Sequence, residues 1–160
     1  MTPVEERLRR RIALTGPVSV AEFMAACLTD PDGYYATFEP FGDAGDFITA
    51  PEISQMFGEI VGAWLLDRWH ADGAPSPVDL VELGPGRGTL MADALRVMRR
   101  DERFIGASRV VLVEASDRLR RVQRERLGPL HPRLCWAETP PGERPIYLIA
   151  NEFFDALPIR

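Results

Sequence analysis

The sequence predicts an α/β fold, because apolar strand-like segments alternate with amphipathic helical segments through the second half of the chain. Four short apolar runs have the length and composition of buried strands: Val78–Leu83, Arg109–Glu114, Arg133–Ala137 and Ile146–Ala150. Such alternation is typical of parallel β-α-β units with right-handed crossovers. Four strands leave an unpaired sheet edge, so we expect them to be the first four strands of an incomplete sheet.

The first half of the sequence predicts helices, so we divide the chain into a helical extension, residues 1–77, and a sheet domain, residues 78–160. Capping patterns at Thr2–Glu5 and Ser19–Glu22 begin two short helices. The longest helix is predicted to begin at Thr49. We expect its apolar residues to pack in the core; they are Ile53, Met56, Phe57, Ile60, Val61, Trp64, Leu65 and Trp69. Gly58 and Gly62 are expected to admit a close neighbour.

Composition excludes several classes of function. A chain of 160 residues with net charge −5 fits one domain plus an extension and predicts no nonspecific nucleic-acid binding. No apolar run reaches the ~18 residues that a membrane span needs. The two cysteines and the two histidines, His70 and His131, show no metal-ligand spacing. With free thiols and no signal or transit pattern, we expect a cytoplasmic protein that binds no metal.

A glycine-rich turn follows the first predicted strand. The segment Val81–Thr89 reads VELGPGRGT, in which an acid, Glu82, precedes glycines at Gly84, Gly86 and Gly88. A strand, a glycine turn and a helix bring backbone N–H groups and a helix N-terminus to one point. Glycine suits this place because it tolerates positive φ and lets a ligand approach the backbone. The segment therefore predicts a ligand site, and a plain tight turn is the alternative.

The spacing in this turn distinguishes two cofactors. A dinucleotide fingerprint reads G-x-G-x-x-G/A, and counting from Gly84 its last position is Thr89, which is neither glycine nor alanine. The carboxylate of Glu82 suits a ligand that carries an ammonium group. S-adenosyl-L-methionine has such a group and has no pyrophosphate, so we expect it to be the cofactor. The alternative is an oxidoreductase that uses NAD.

A second acid ends the second predicted strand. An acid at this place hydrogen-bonds the ribose hydroxyls in nucleoside-binding α/β folds, so we expect Glu114 to bind the cofactor ribose. The alternative is that Glu114 caps the helix that follows, although Ser116 is the better N-cap residue. That helix, Ser116–Leu127, carries five arginines mixed with acids, and we interpret them as a solvated face.

Three blocks of the sequence resemble the MidA-like family of S-adenosylmethionine-dependent methyltransferases: Gly45–Glu59 (GDFITAPEISQMFGE), Val81–Leu90 (VELGPGRGTL) and Asn151–Pro158 (NEFFDALP). The resemblance implies a Rossmann-like class I methyltransferase sheet. Mitochondrial members of that family are protein arginine methyltransferases needed for respiratory complex I assembly. It therefore implies a protein substrate, with a complex I subunit as one candidate. Only the N-terminal part of the family is matched, so we expect the 160-residue chain to bind cofactor with little turnover.

The last block follows the fourth predicted strand, and ligands of open α/β sheets bind outside such strand ends. We expect Asn151, Glu152 and Asp155 to be catalytic residues, with the two acids holding a guanidinium through bidentate hydrogen bonds. The alternative is a helix start capped by Asn151 or Asp155, with Phe153 and Phe154 in the core. The resemblance also implies that the loop containing Asp46 and Thr49 closes the cofactor pocket; capping by Thr49 is the alternative.

A different class of function also fits the sequence. Under this hypothesis the domain is not catalytic. It acts as a binding or assembly factor that contacts a partner through its unpaired sheet edge and its N-terminal helices.

Overall fold

The computed structural model describes residues 1–34 and 49–159. The chain forms two compact units: residues 1–47 together with 152–160, and residues 48–151. The long helix of residues 55–71 belongs to the second unit, with the sheet. The predicted domain boundary after residue 77 stays a prediction. Within the described ranges, no helix has both the length and the apolar character needed to cross a bilayer.

The first unit begins with two helices that start at side-chain caps. Helix α1 spans Pro3–Thr15, and the hydroxyl of Thr2 accepts a hydrogen bond from the N–H of Glu5. Helix α2 spans Val20–Met24 after a reciprocal capping box of Ser19 and Glu22, and it continues as a π-helical turn over Ala25–Thr29. These caps confirm the two capping patterns seen in the sequence.

The second unit is built on a parallel four-stranded sheet with the order β3-β2-β1-β4. Its strands are β1 (Val78–Leu83), β2 (Ser108–Val113), β3 (Leu134–Ala137) and β4 (Ile146–Ala150). Its helices are α3 (Ala50–Ile53), α4 (Gln55–Ala71), α5 (Thr89–Met98), α6 (Glu102–Ala107) and α7 (Asp117–Leu127). The α/β class and the parallel sheet are confirmed, with three strand boundaries displaced by one residue.

The three connections between the strands differ. Helices α5 and α6 connect β1 to β2, and α7 connects β2 to β3. The third connection, residues 138–145, contains no helix, which departs from the β-α-β alternation expected for every step. Three of its eight residues are proline, and proline lacks the N–H that a helix needs. The connection is anchored at Pro145, whose carbonyl accepts a hydrogen bond from Asp79 N–H at 2.9 Å.

Helix α4 packs on α5 through its glycines. A Cβ atom added at Gly58 would lie 2.6 Å from Asp93 Cβ, and one added at Gly62 would lie 2.6 Å from Ala94 Cα. Both distances are shorter than real Cβ atoms allow, so only glycine lets the two helices approach this closely. The expected close neighbour of these glycines is therefore confirmed, and it is α5.

The large apolar residues of this region do not pack as predicted. Met56, Ile60 and Trp64 are 63 %, 60 % and 61 % exposed, and Ile53 is 72 % exposed, while Leu65 and Trp69 are buried. The expectation of a core-facing stripe is thus wrong for the larger part of it. The reason is geometric: the helix buries its glycine side against α5, which turns the opposite apolar side outward.

The predicted long helix is also interrupted. It breaks at Ser54, which has extended backbone angles and separates α3 from α4. The Ser54 hydroxyl accepts a hydrogen bond from Met56 N–H at 3.3 Å, so Ser54 is the N-cap of α4. Thr49 is the N-cap of α3 through its carbonyl, which accepts from Glu52 N–H at 2.9 Å, and its side chain makes no capping hydrogen bond.

Candidate functional site

The glycine turn joins the carboxyl end of β1 to the N-terminus of α5. Gly84, Gly86 and Gly88 all have positive φ, at 59°, 53° and 77°. Gly84 N–H donates to Val113 O of the neighbouring strand at 3.0 Å, which fixes the start of the turn beside the end of β2. The backbone conformation is the one that side chains disfavour, so glycine is required here for a conformational reason.

Glycine at the end of the turn also has a packing reason. A Cβ atom at Gly88 would lie 3.4 Å from Leu127 Cδ1 and 3.5 Å from Gln123 Cγ. Gly88 is the left-handed N-cap of α5 and lies directly against α7. The turn is thereby held between its own strand and the helix that follows β2.

Glu82 is buried at the end of β1. Its side chain is 3 % exposed, and among the described residues nothing hydrogen-bonds its Oε2. Burial raises the pKa of Glu82 from its ordinary value of 4.5 to about 8. A buried carboxylate oxygen without a hydrogen-bond partner is destabilising on its own, and acids with strongly shifted pKa values cluster at functional sites. The arrangement fits a carboxylate that binds a cationic ligand.

Glu114 follows the end of β2 and is half-buried. Its Oε1 accepts from Ser116 N–H at 2.8 Å, and its Oε2 accepts from Gln123 Nε2 at 3.3 Å. Burial raises the pKa of Glu114, and these hydrogen bonds oppose that rise. The side-chain cap of α7 is Ser116, whose hydroxyl accepts from Leu119 N–H at 3.4 Å.

Gln123 is a residue of this site that the sequence interpretation missed. Its side chain is completely buried and donates to Gly86 O at 2.7 Å, in addition to its bond to Glu114. Its Oε1 accepts from Trp136 Nε1 at 2.7 Å. A signal was present in the sequence, because Gln123 lies four residues from both Leu119 and Leu127 on the apolar side of α7.

Helix α3, which begins after Thr49, is linked to the start of α5 by Glu52. Glu52, three residues after Thr49, accepts a hydrogen bond from Thr89 Oγ1 at 2.6 Å. The Thr89 hydroxyl in turn accepts from Arg126 Nη1. Thr89 is the first residue of α5, so α3 and α7 are both linked to the helix that begins at the glycine turn. Asp46 and the start of the first sequence block lie outside the described residues.

The predicted catalytic residues follow β4. In the strand register, Leu83 pairs with Ala150, so Asn151 follows β4 beside the point where the glycine turn follows β1. Glu152 belongs to the other compact unit and has a positive φ of 46°, which is rare for a residue other than glycine. Asp155 is exposed and lies in a 3₁₀ turn, Phe154–Ala156, that lacks a side-chain cap. Phe154 is 64 % exposed, which contradicts the core-packing alternative for it.

Comparisons with known proteins agree with this geometry. Residues 60–160 match the family model described as "Putative S-adenosyl-L-methionine-dependent methyltransferase". The chain is similar to a solved structure from Burkholderia thailandensis that is bound to S-adenosyl-homocysteine. The TM-score is 0.77 and the identity 29 %, and the match covers 97 % of this chain and 42 % of the other.

Two similar curated proteins are the mitochondrial protein arginine methyltransferase NDUFAF7 and its homologue in flies. The identity is 41 % to the Drosophila melanogaster protein, over 96 % of this chain and 40 % of that protein. It is 38 % to the Homo sapiens protein, over 99 % of this chain and 42 % of that protein. The chain thus spans about two fifths of the length of these relatives.

These names correct one expectation. The relatives from fly and human are both named as mitochondrial, so the expectation of a cytoplasmic protein is wrong. The expected cofactor is confirmed at the level of the family, since the family model and the bound ligand of the solved relative agree on it.

The match of the family model extends over more than half of the chain and includes both acids and all three glycines of the site. The expected class I methyltransferase sheet and the resemblance on which it rested are therefore confirmed. The chain belongs to this family of S-adenosylmethionine-dependent methyltransferases.

Proposed function

We propose that this protein transfers the methyl group of S-adenosylmethionine to an arginine side chain of another protein. The observation that carries the proposal is the buried carboxylate of Glu82, whose Oε2 has no hydrogen-bond partner among the described residues, beside a turn of positive-φ glycines. A solved relative of the same architecture is bound to S-adenosyl-homocysteine. The NDUFAF7 proteins, which this chain resembles over nearly its whole length, are named protein arginine methyltransferases.

The residues at the carboxyl ends of β1 and β2 fit this cofactor. Glu82 supplies a negative charge for the ammonium group, and its unsatisfied Oε2 supplies the acceptor. Gly84, Gly86 and Gly88 let the cofactor approach the backbone, and the N-terminus of α5 favours the cofactor carboxylate. Glu114 accepts from the ribose hydroxyls with the lone pairs that Ser116 and Gln123 leave unused.

Transfer depends mainly on placement. Bound S-adenosylmethionine would supply an electrophilic methyl group, and the protein positions an acceptor nitrogen for in-line attack. S-adenosylhomocysteine would be the leaving group, and the methylated nitrogen would give up one proton to solvent. We propose that Asn151, Glu152 and Asp155 hold the guanidinium, and that Thr49 helps to close the cofactor pocket. The support is their place after β4 or before the α3 residue Glu52, together with the resemblance of their sequence blocks. Carboxylates bind a guanidinium well but are weak bases toward it.

For the acceptor protein, we infer a subunit of respiratory complex I. The support is the family resemblance of the three sequence blocks alone. The acidic character of the chain, with net charge −5, agrees with an arginine-bearing protein partner and with the absence of nucleic acid among the proposed partners.

The test is a methyl-transfer assay with the whole protein and isotopically labelled S-adenosylmethionine. Mitochondrial extract, purified complex I and an unrelated arginine-rich protein are offered as acceptors, and modified residues are located by mass spectrometry. We expect label on arginine, and more on complex I subunits than on the unrelated protein. Glu82→Gln should reduce the label, while Glu125→Gln, at an exposed acid of α7, should not.

Each part of the proposal has its own contradicting outcome. Absence of label from every acceptor would contradict methyl transfer. Label on a residue other than arginine would contradict the acceptor type, and label that avoids complex I would contradict the proposed partner.

A further inference from the structure

Gln123 connects three structural elements of the candidate site through one side-chain amide. Its two N–H groups face Gly86 O in the glycine turn and Glu114 Oε2 after β2, at 2.7 and 3.3 Å. Its oxygen accepts from the indole of Trp136 in β3 at 2.7 Å. The amide therefore uses both of its donors and its acceptor on separate elements.

The place of Gln123 is one that packing alone would fill with an apolar residue. It is completely buried and lies between Leu119 and Leu127 on the inner side of α7. A buried amide is costly unless it is fully hydrogen-bonded. Here both donated hydrogen bonds end on residues of the proposed cofactor site, Gly86 and Glu114. A role in positioning these residues therefore explains why a polar side chain is buried at this place.

We propose that Gln123 is a positioning residue that fixes the Glu114 carboxylate and the Gly86 peptide relative to each other for recognition of the cofactor ribose. This inference rests on the proposed role of Glu114 as the ribose ligand. Gln123 acts through Glu114 and the turn. The bond from Trp136 keeps the amide from rotating and so keeps both donors aimed at their acceptors.

The proposal distinguishes positioning from ordinary core packing. A lost packing contact weakens the binding of every ligand, because it loosens the whole site. A lost positioning contact weakens mainly the discrimination between ligands with and without the ribose hydroxyl. The quantity to measure is therefore the ratio of two dissociation constants, for S-adenosylhomocysteine and for its 2′-deoxy analogue.

The experiment measures this ratio by calorimetry in the whole protein. Gln123→Met removes the three hydrogen bonds and keeps the length of the side chain. Leu127→Met is the matched control on the same side of α7, where a swap of similar volume costs little. Glu114→Ala reports on the ribose ligand itself, and the Gln123→Met/Glu114→Ala double variant measures the coupling.

We expect Gln123→Met to reduce the discrimination about three- to tenfold, as the loss of about one hydrogen bond implies. Leu127→Met should preserve it. In the double variant, the discrimination should be no lower than in Glu114→Ala alone, because Gln123 acts through Glu114. Should Gln123→Met not fold, Trp136→Phe decides: it keeps an aromatic side chain but removes the indole N–H that bonds the amide, and it should lower the discrimination about twofold.

Two outcomes separate failure of this inference from failure of the proposed site. If Glu114→Ala loses the discrimination while Gln123→Met, or Trp136→Phe in its place, retains it, Gln123 is a packing residue and the inference is overturned. If Glu114→Ala itself retains the discrimination, the ribose assignment falls, and the inference falls with it. Equal losses in Gln123→Met and Leu127→Met would also overturn the inference.

Discussion

Glu82 and Glu114 lie at the carboxyl ends of two neighbouring parallel strands, but their surroundings are opposite. Glu114 is half-buried and accepts hydrogen bonds from Ser116 and Gln123. Glu82 is 3 % exposed, and its Oε2 has no partner among the described residues. Burial raises the pKa of both acids, and it raises that of Glu82 to about 8.

The difference indicates two ways to prepare a carboxylate for a ligand. Glu114 is held in place by the protein and keeps lone pairs for neutral hydroxyl donors. Glu82 is desolvated, and its Oε2 lacks a hydrogen bond among the described residues, which costs about 1–3 kcal/mol for an unsatisfied buried group. A local cost of this kind persists where function requires it. Binding of a cation would offset this cost, so Glu82 is suited to the ammonium group of the cofactor.

The largest expected effect tests whether the two acids share a cofactor site at all. Gly86 lies in the turn between them with a φ of 53°, where a β-branched side chain is strained and would block the approach of a ligand. Gly86→Val should raise the dissociation constant for S-adenosylhomocysteine by about a hundredfold or more. Gly106→Val is the control, because a Cβ at Gly106 meets nothing within 4 Å. Unchanged affinity with a normal circular dichroism spectrum would contradict the site.

The next effect concerns the acid that the protein holds. Glu114→Ala should weaken the binding of 5′-methylthioadenosine, which keeps the ribose. Loss of hydrogen bonds to a charged group costs about 1.5–3 kcal/mol, or roughly ten- to hundredfold in affinity. Glu125→Ala, an exposed acid of α7, is the matched control. Equal binding by Glu114→Ala and the wild type would show that Glu114 does not contact the ribose.

A smaller effect distinguishes Glu82 from Glu114 by pH. Because the pKa of unliganded Glu82 is about 8, binding of an ammonium group at pH 7 must release its proton. The affinity for S-adenosylhomocysteine should therefore fall by up to about tenfold per pH unit below pH 8. In Glu82→Gln this dependence should disappear.

The ligand control for that experiment is 5′-methylthioadenosine, which lacks the ammonium group but keeps the ribose. Its affinity reports any titration of Glu114 and leaves out the contribution of Glu82. Calorimetry in two buffers of different ionisation enthalpy counts the released protons. The same pH dependence for both ligands would place the titrating group at the ribose and contradict the role of Glu82.

Parts of this comparison could be read from the sequence, and parts could not. Both acids and the three glycines were predicted, because a continuous apolar strand that ends in an acid and a glycine turn is a local pattern. The strand ranges Val78–Leu83 and Ile146–Ala150 are confirmed residue by residue for the same reason. The contrast between the acids was not predictable, since it depends on which of them the folded chain brings within reach of Gln123.

The exposed stripe of α4 and the missed Gln123 have a related cause. Periodicity shows which side of a helix is apolar, but not which side the neighbouring element covers. In α4 the side that carries Gly58 and Gly62 packs on α5, and the side with the larger apolar side chains does not, because glycine permits a closer approach. In α7 the numerous arginines favour a solvated helix, although the uncharged amide of Gln123 lies in line with Leu119 and Leu127 on the inner side.

The last prediction tests the electrostatic cost carried by Glu82 without any ligand. The pKa of Glu82 is raised from 4.5 to about 8 in the folded protein, so the folded state binds this proton more tightly than the unfolded state. Its contribution to stability is therefore full below pH 4.5 and is lost as the pH rises toward 8, by at most about 1.4 kcal/mol per pH unit.

Glu82→Gln cannot titrate, so its free energy of unfolding should rise relative to that of the wild type between pH 5 and pH 8. The difference between the two proteins cancels the titration of all other groups. Glu114→Gln should show a weaker change of the same sign, because the hydrogen bonds from Ser116 and Gln123 oppose the effect of burial on its pKa. Urea unfolding at several pH values measures both differences. Curves for Glu82→Gln and wild type that stay parallel with pH would mean that Glu82 titrates normally. The contrast between the two acids would then be one of hydrogen bonding without any stored electrostatic cost.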